Sequence, residues 1–225
     1  MNAGAGSARG AITSVRRRPA RSGTARSLTV FLHGYGADGA DLIGLADPLA
    51  SVLPHTAFLS PDAPEPCRVN PMGRQWFPIS WIDGCPETEM RSGFFAASSA
   101  LDRWLDTAMA EAGVGPEATA LVGFSQGTMM ALHAALRRPQ PLACVVGFSG
   151  RLAEPPDVAA STPPVLLVHG DMDEVIPVSA LTEARNGLAA LGCPVRWHVS
   201  AGVGHGIAPD GLRLAAEFLR DRLPR

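Results

Sequence analysis

The residues with the clearest capacity for covalent chemistry are Gly123-Phe124-Ser125-Gln126-Gly127. An apolar run, Ala120-Leu121-Val122, leads into them, and a helical pattern over 129–136 leads away. A G-x-S-x-G between a strand and a helix is a nucleophile elbow, whose sharp turn strains the serine backbone and projects its hydroxyl. The flanking glycines are needed because a Cβ at either would strike the neighbouring strand or helix. The chemistry implied is acyl transfer through a covalent serine intermediate. A hydroxyl is a weak nucleophile, so a base must take its proton and a third group must orient that base.

Behind an elbow of this kind the partners follow in the order serine, acid, histidine, each on a loop after a strand. His133 lies inside the helix that follows the elbow and faces away from it. His169 and His198 fall within or at the end of strand-like runs, where a hydrogen-bonded structural role is expected. His205, in Gly202-Val203-Gly204-His205-Gly206, occupies a loop between the last strand and the last helix, the place for a base. Two carboxylates compete for the acid. Asp171 follows Gly170 directly, where a short side chain bonds nearby amides in an Asx-type turn. Asp173 stands further out, better placed to reach a histidine on the next loop, and is preferred, with Asp171 as structural support.

The oxyanion of acyl transfer must meet donors already in place. One is the backbone N–H of Gln126, at the positive end of its helix. The second is assigned to the N–H of Tyr35, in the loop His33-Gly34-Tyr35-Gly36-Ala37-Asp38-Gly39, with His33 as a structural histidine packing that loop.

Positioning these groups requires alternating strands and helices. Apolar runs read as buried parallel strands at 28–33, 56–60, 119–123, 143–148, 165–169 and 195–200, with helices at 40–53, 92–112, 126–138, 179–191 and 209–223. That alternation gives an α/β fold with a mostly parallel sheet and helices on both faces. The segment 61–91 breaks the pattern, because six prolines interrupt Met72, Trp76, Phe77, Ile79, Trp81 and Ile82. It is either a plug of the core or the wall of an apolar substrate pocket.

The chain has 225 residues, 46% hydrophobic and 18% charged, with a net charge of −2, so it has no bias toward nucleic acid. Every basic residue other than histidine is arginine, which excludes a P-loop lysine, a pyridoxal Schiff base and a Ser-Lys dyad. Arg9, Arg16, Arg17, Arg18, Arg21 and Arg26 precede the first acidic residue, Asp38. They mark an arm over 1–26, partly disordered and with an edge hairpin, ahead of a single domain over 27–225. Contact with an anionic surface and organelle targeting are the competing readings of the arm. No run approaches ~18 apolar residues, so no membrane span is expected. Cys67, Cys85, Cys144 and Cys193 are scattered, which favours free thiols, a reducing cytoplasmic setting and no metal.

Together these residues resemble the small α/β-hydrolases of the phospholipase/carboxylesterase family, which also holds the acyl-protein thioesterases. The matching stretches are Phe31 to Gly39, Pro61-Asp62-Ala63-Pro64, Gly123 to Gly127, His169-Gly170-Asp171-Met172-Asp173-Glu174-Val175-Ile176-Pro177 and Gly204-His205. The resemblance implies a triad of Ser125, Asp173 and His205, an oxyanion hole from the Tyr35 and Gln126 amides, and no cofactor. The Trp76-Phe77 pair is similar to the family's tryptophan in its pocket loop, and the pocket is assigned to Trp76, Phe77, Trp81, Val175 and Ile176. Thr128 departs from the pattern, since many members carry a second glycine there. Larger relatives of the fold insert a cap before the acid-bearing strand; 149–164 is too short for one, so an open site is expected. The implied activity is hydrolysis of carboxylic esters of short to medium chains or of lysophospholipids. A thioesterase is the alternative, with an acyltransferase or a non-catalytic binding protein more remote. The implied partner is a small ester or thioester, and a homodimer is compatible with the general frequency of such assemblies.

Overall fold

The computed structural model describes residues 10–224. The first nine residues of the arginine-rich arm, Arg9 among them, lie outside the described residues. The strands are β1 (Val15–Arg18), β2 (Ser27–Leu32), β3 (Thr56–Pro61), β4 (Glu65–Pro66), β5 (Arg74–Gln75), β6 (Thr119–Phe124), β7 (Cys144–Phe148), β8 (Val165–Gly170) and β9 (Val195–Ser200). The helices are α1 (Gly39–Ile43), α2 (Ala46–Leu49), α3 (Ser80–Asp83), α4 (Glu87–Ala112), α5 (Gln126–Arg137), α6 (Ser179–Ala190) and α7 (Pro209–Arg220).

Seven strands form one sheet in the order β1-β3-β2-β6-β7-β8-β9, with every neighbouring pair parallel except β1 and β3. The central strands are buried on both faces, as parallel strands covered by helices must be. In β2, Leu28, Val30 and Leu32 enter one apolar cluster with Leu101, Leu105, Met130 and Leu188 of α4, α5 and α6. Phe31 faces the other cluster, with Leu42, Ile43, Leu49, Phe218 and Leu219 of α1, α2 and α7. Helix α5 is buried from Gln126 to Leu136, which explains an apolar pattern without a clear polar face.

Three elements differ from the sequence expectation. The helix expected over 40–53 is split into α1 and α2, because Gly44 lowers helix propensity and Pro48 has no N–H to give the Gly44 carbonyl. Helix α4 begins at Glu87, five residues before 92, with Pro86 as its extended N-cap and Glu87 and Glu89 in its first turn. The edge hairpin expected of the arm is instead a lone edge strand. β1 pairs antiparallel with β3, Arg17 opposite Leu59, and not with its chain neighbour β2. All four cysteines are free and buried. Among the described residues no helix is long and apolar enough to cross a membrane.

Candidate active site

The parallel sheet delivers four loops to the carboxyl ends of β2, β6, β8 and β9, the edge of an open α/β sheet where ligands bind. Ser125 follows β6 as the N-cap of α5, with φ 54° and ψ −116°, a left-handed conformation that non-glycine residues rarely adopt. Its own N–H, bonded to the Phe148 carbonyl at 2.9 Å, holds it there. The two glycines of the elbow are sterically obligatory. A Cβ on Gly123 would lie 2.5 Å from the Gly127 backbone, and one on Gly127 would lie 1.8 Å from the Leu32 carbonyl oxygen. Thr128 is accommodated by a different route. Its hydroxyl donates to Phe148 O at 2.8 Å, and its Cγ2 fills the space where a Cβ on Gly147 would stand, 2.5 Å away. The side chain that departs from the family pattern is thus matched by a missing one on β7.

Asp173 and His205 come together from loops after β8 and β9. His205 Nδ1–H donates to Asp173 Oδ2 at 2.8 Å, leaving Nε2 with a free lone pair. The other carboxylate oxygen, Oδ1, accepts from the amides of Val175 at 2.9 Å and Ile176 at 2.8 Å. Burial pushes this carboxyl up, but the Ile176 amide, the His205 imidazole and the Val175 amide outweigh it and hold it below the ordinary aspartate value. His169 buttresses the same group: its Nε2–H donates to Ile176 O at 2.8 Å and lies 3.3 Å from Asp173 Oδ2. Asp171 has another job. Its Oδ1 accepts from the Gly202 amide at 2.6 Å, and the Met172 amide donates to Val203 O at 2.9 Å. These two bonds fasten the loop that carries Asp173 to the loop that carries His205.

The imidazole of His205 packs on Phe124, ring centroids 4.9 Å apart, immediately before Ser125 in the chain. Among the described residues no hydrogen bond of 3.5 Å or less joins the Ser125 hydroxyl to His205. Catalytic bonds of this kind often tighten only in the reacting complex.

On the far side of the serine runs the loop after β2. A Cβ on Gly34 would stand 3.4 Å from Ser125 Cβ, so the backbone of this loop lies directly against Ser125. The N–H groups of Tyr35 and Gln126 donate to no backbone carbonyl among the described residues, whereas the next amide, Gly36, is bonded to Arg74 O at 2.9 Å. His33 fixes the loop by accepting from the Ala63 amide at Nε2, 3.0 Å, and bonding Gly34 O through Nδ1, 2.8 Å. Burial lowers its pKa. The Tyr35 hydroxyl reaches away to Asp83 at 3.1 Å. His198 is paired with Asp210 at 2.7 Å and ties β9 to α7, and His133 is buried against Phe94, far along α5.

A cavity of about 470 Å³ opens beside the elbow, lined by Phe77, Trp81, Met90, Phe94, Met129 and Leu152 among others. Ser125 and His205 do not line it; it abuts the elbow through Phe77 and through Met129, one turn into α5. Of the residues assigned to the pocket from sequence, Phe77 and Trp81 are in its wall and three are not. Trp76 is wholly buried, its indole N–H bonded to His33 O at 3.0 Å, so it plugs the core behind the loop. Val175 is exposed and Ile176 packs against the core, and both act through backbone groups that hold Asp173 and His169. The segment 61–91 is therefore both plug and wall, divided residue by residue.

One residue acts through a part the sequence reading passed over. The Gln126 side chain is fully buried; its Oε1 accepts from the Trp76 amide at 2.9 Å and its Nε2 donates to Phe77 O at 2.8 Å. It staples the pocket loop to the elbow. No local signal marks it, because both partners lie about fifty residues away in the chain.

The family model described as phospholipase/carboxylesterase matches residues 19–223. The esterase YpfH of Escherichia coli K12 is 29% identical over 201 residues, covering 89% of this chain and 85% of that protein. Acyl-protein thioesterase 1 of Saccharomyces cerevisiae is 28% identical, covering 88% of this chain and 94% of its own. Among solved structures, esterase PE8 superposes with a TM-score of 0.88 at 46% identity, covering 93% of this chain and 99% of that one. An α/β-hydrolase sheet with a serine elbow, matched by its family model over nearly its whole length, leads to one conclusion: the chain belongs to the phospholipase/carboxylesterase family.

Proposed function

We propose that this ester hydrolase works through Ser125 as nucleophile, His205 as general base and acid, and Asp173 as the carboxylate that orients the imidazole. The observation that carries the reading is the strained backbone of Ser125 beside the 2.8 Å His205–Asp173 bond. Ser125 Oγ attacks the ester carbonyl carbon as its proton passes to His205 Nε2. The carbonyl oxygen becomes an oxyanion met by the Tyr35 and Gln126 amides. Collapse breaks the bond to the alcohol, which leaves with the proton from His205. Water, deprotonated by the same imidazole, then attacks the acyl-serine; the carboxylic acid departs and Ser125 recovers its proton. Asp173 remains ionised throughout, which its lowered pKa favours. The apolar cavity suits the acyl chain of a short or medium ester, being within the usual range for small-molecule sites.

Ser125→Ala and His205→Gln should each lower kcat on p-nitrophenyl butyrate by ~10⁴-fold or more with the fold retained. Turnover within tenfold of wild type in either variant would remove that residue from the scheme. The similarity to acyl-protein thioesterase 1 of yeast supports a second reading, in which the same relay cleaves a thioester. Parallel rates on an oxygen ester and a thioester of one acyl chain decide between them. Four unpaired cysteines fit a reducing compartment for either activity.

A further inference from the structure

The charged side chains around the cavity are unevenly partnered. Arg91, on α4, is bonded by Glu154 at 3.2 Å. Glu154 is committed to that place, since its backbone is held at φ 45° and its carbonyl accepts from Arg137 at 2.8 Å. Arg151 also lines the wall, yet among the described residues it has no carboxylate within 4.0 Å. Its guanidinium instead lies over the exposed ring of Trp81, 4.9 Å from the centroid. Stacking of this kind fixes the plane of the guanidinium while leaving its N–H fork free for an anion. The backbone leading into Arg151 is anchored at the elbow. The preceding residue, Gly150, packs against the backbone of the elbow: a Cβ on it would stand 2.4 Å from Thr128 Cβ and 2.9 Å from the Ser125 carbonyl oxygen. The remaining acid of the wall, Glu183, is exposed on α6 beside Ala184 and Gly187 and forms no ion pair with Arg151.

We propose that Arg151 is a specificity-determining residue that favours esters bearing a carboxylate a few bonds from the scissile carbonyl. The inference rests on the reading of Ser125 as nucleophile and adds a substrate class to it. A single unpaired guanidinium matches a carboxylate in charge and in its two-pronged geometry. The apolar walls keep the rest of the substrate chain out of water, while the charged end stays at the solvent-facing rim with Arg151 and Trp81.

The test compares p-nitrophenyl hemisuccinate with chain-matched, neutral p-nitrophenyl butyrate, as a ratio of kcat/KM values within one enzyme preparation. Arg151→Gln should lower the ratio of charged to neutral substrate roughly two- to fivefold, the range for one charge pair at an exposed site. In wild type, 1 M NaCl should erode the ratio, because the Debye length shrinks to about 3 Å; in the variant it should not. An identical ratio in wild type and Arg151→Gln at low salt overturns the proposal. The neutral substrate reports on Ser125 alone. Butyrate turnover that survives Ser125→Ala would therefore show failure of the nucleophile reading, separately from any change in the ratio.

Discussion

At Asp173 one carboxylate serves two purposes, and its two oxygens divide them. Oδ1 is consumed by the Val175 and Ile176 amides, which anchor it, and Oδ2 is turned to His205. An amide in its place keeps the shape but presents a donor where an acceptor is needed, favouring the wrong imidazole tautomer. Asp173→Asn should lower kcat by ~10⁴-fold. Asp171→Asn disturbs only the Gly202 amide and should leave most of the activity, so steady-state rates of the two variants separate anchor from relay. Gln126 invites a different substitution. Gln126→Met leaves the Trp76 N–H and the Phe77 carbonyl buried without partners, at about 1–3 kcal/mol for each group. Urea denaturation should show the loss, and the acyl-chain-length profile should flatten as Phe77 loosens in the cavity wall. Loop position alone marked Asp173 and His205 in the sequence, and the structure brings the two within 2.8 Å of each other. The Gln126 staple was not legible, because a side chain's partner fifty residues away leaves no local periodicity.

Among the elements, β6, α5 and β7 form the rigid unit that holds the elbow. Thr128 on α5 and Gly147 on β7 are complementary in volume. Gly147→Ala alone should destabilise the protein by about 1–3 kcal/mol through overpacking. Combined with Thr128→Gly it should recover a large part of that loss, since the next atom met is the flexible end of Leu167 at 3.3 Å. A double-mutant cycle on thermal unfolding checks the coupling. The six strands expected from apolar runs all exist; five are largely buried and read as mostly apolar runs, whereas β9, expected to be buried, is an edge strand with Arg196 and Trp197 exposed. Short elements and their partners were less visible. Pro86 reads as a breaker yet caps α4, and nothing within Val15–Arg18 tells that its partner is β3. Trp76, Phe77 and Trp81 look alike in sequence; only packing sorts one into the core and two into the cavity wall.

For the whole molecule, stability in acid follows from groups the fold keeps neutral or ionised. Burial, with the Arg137 charge beside it, lowers the His133 pKa from 6.5 to about 4. The unfolded chain therefore binds a proton between those values that the native state refuses, so stability falls as pH drops through that window. The loss is at most about 3 kcal/mol. His133→Gln should flatten the dependence of Tm on pH between 6.5 and 4. His33, lowered by burial, acts in the same direction. The lowered Asp173 adds its own loss only below the ordinary aspartate range, where protonation would also break the bond to His205. The central claim is that the serine of the elbow carries the acyl group with His205 drawing off its proton. Peptide mapping by mass spectrometry after treatment with a fluorophosphonate tests it most directly. The adduct should sit on Ser125 in the wild type, be absent from Ser125→Ala, and form far more slowly in a folded His205→Ala variant. An adduct on another residue, or equal labelling of Ser125→Ala, would contradict the account.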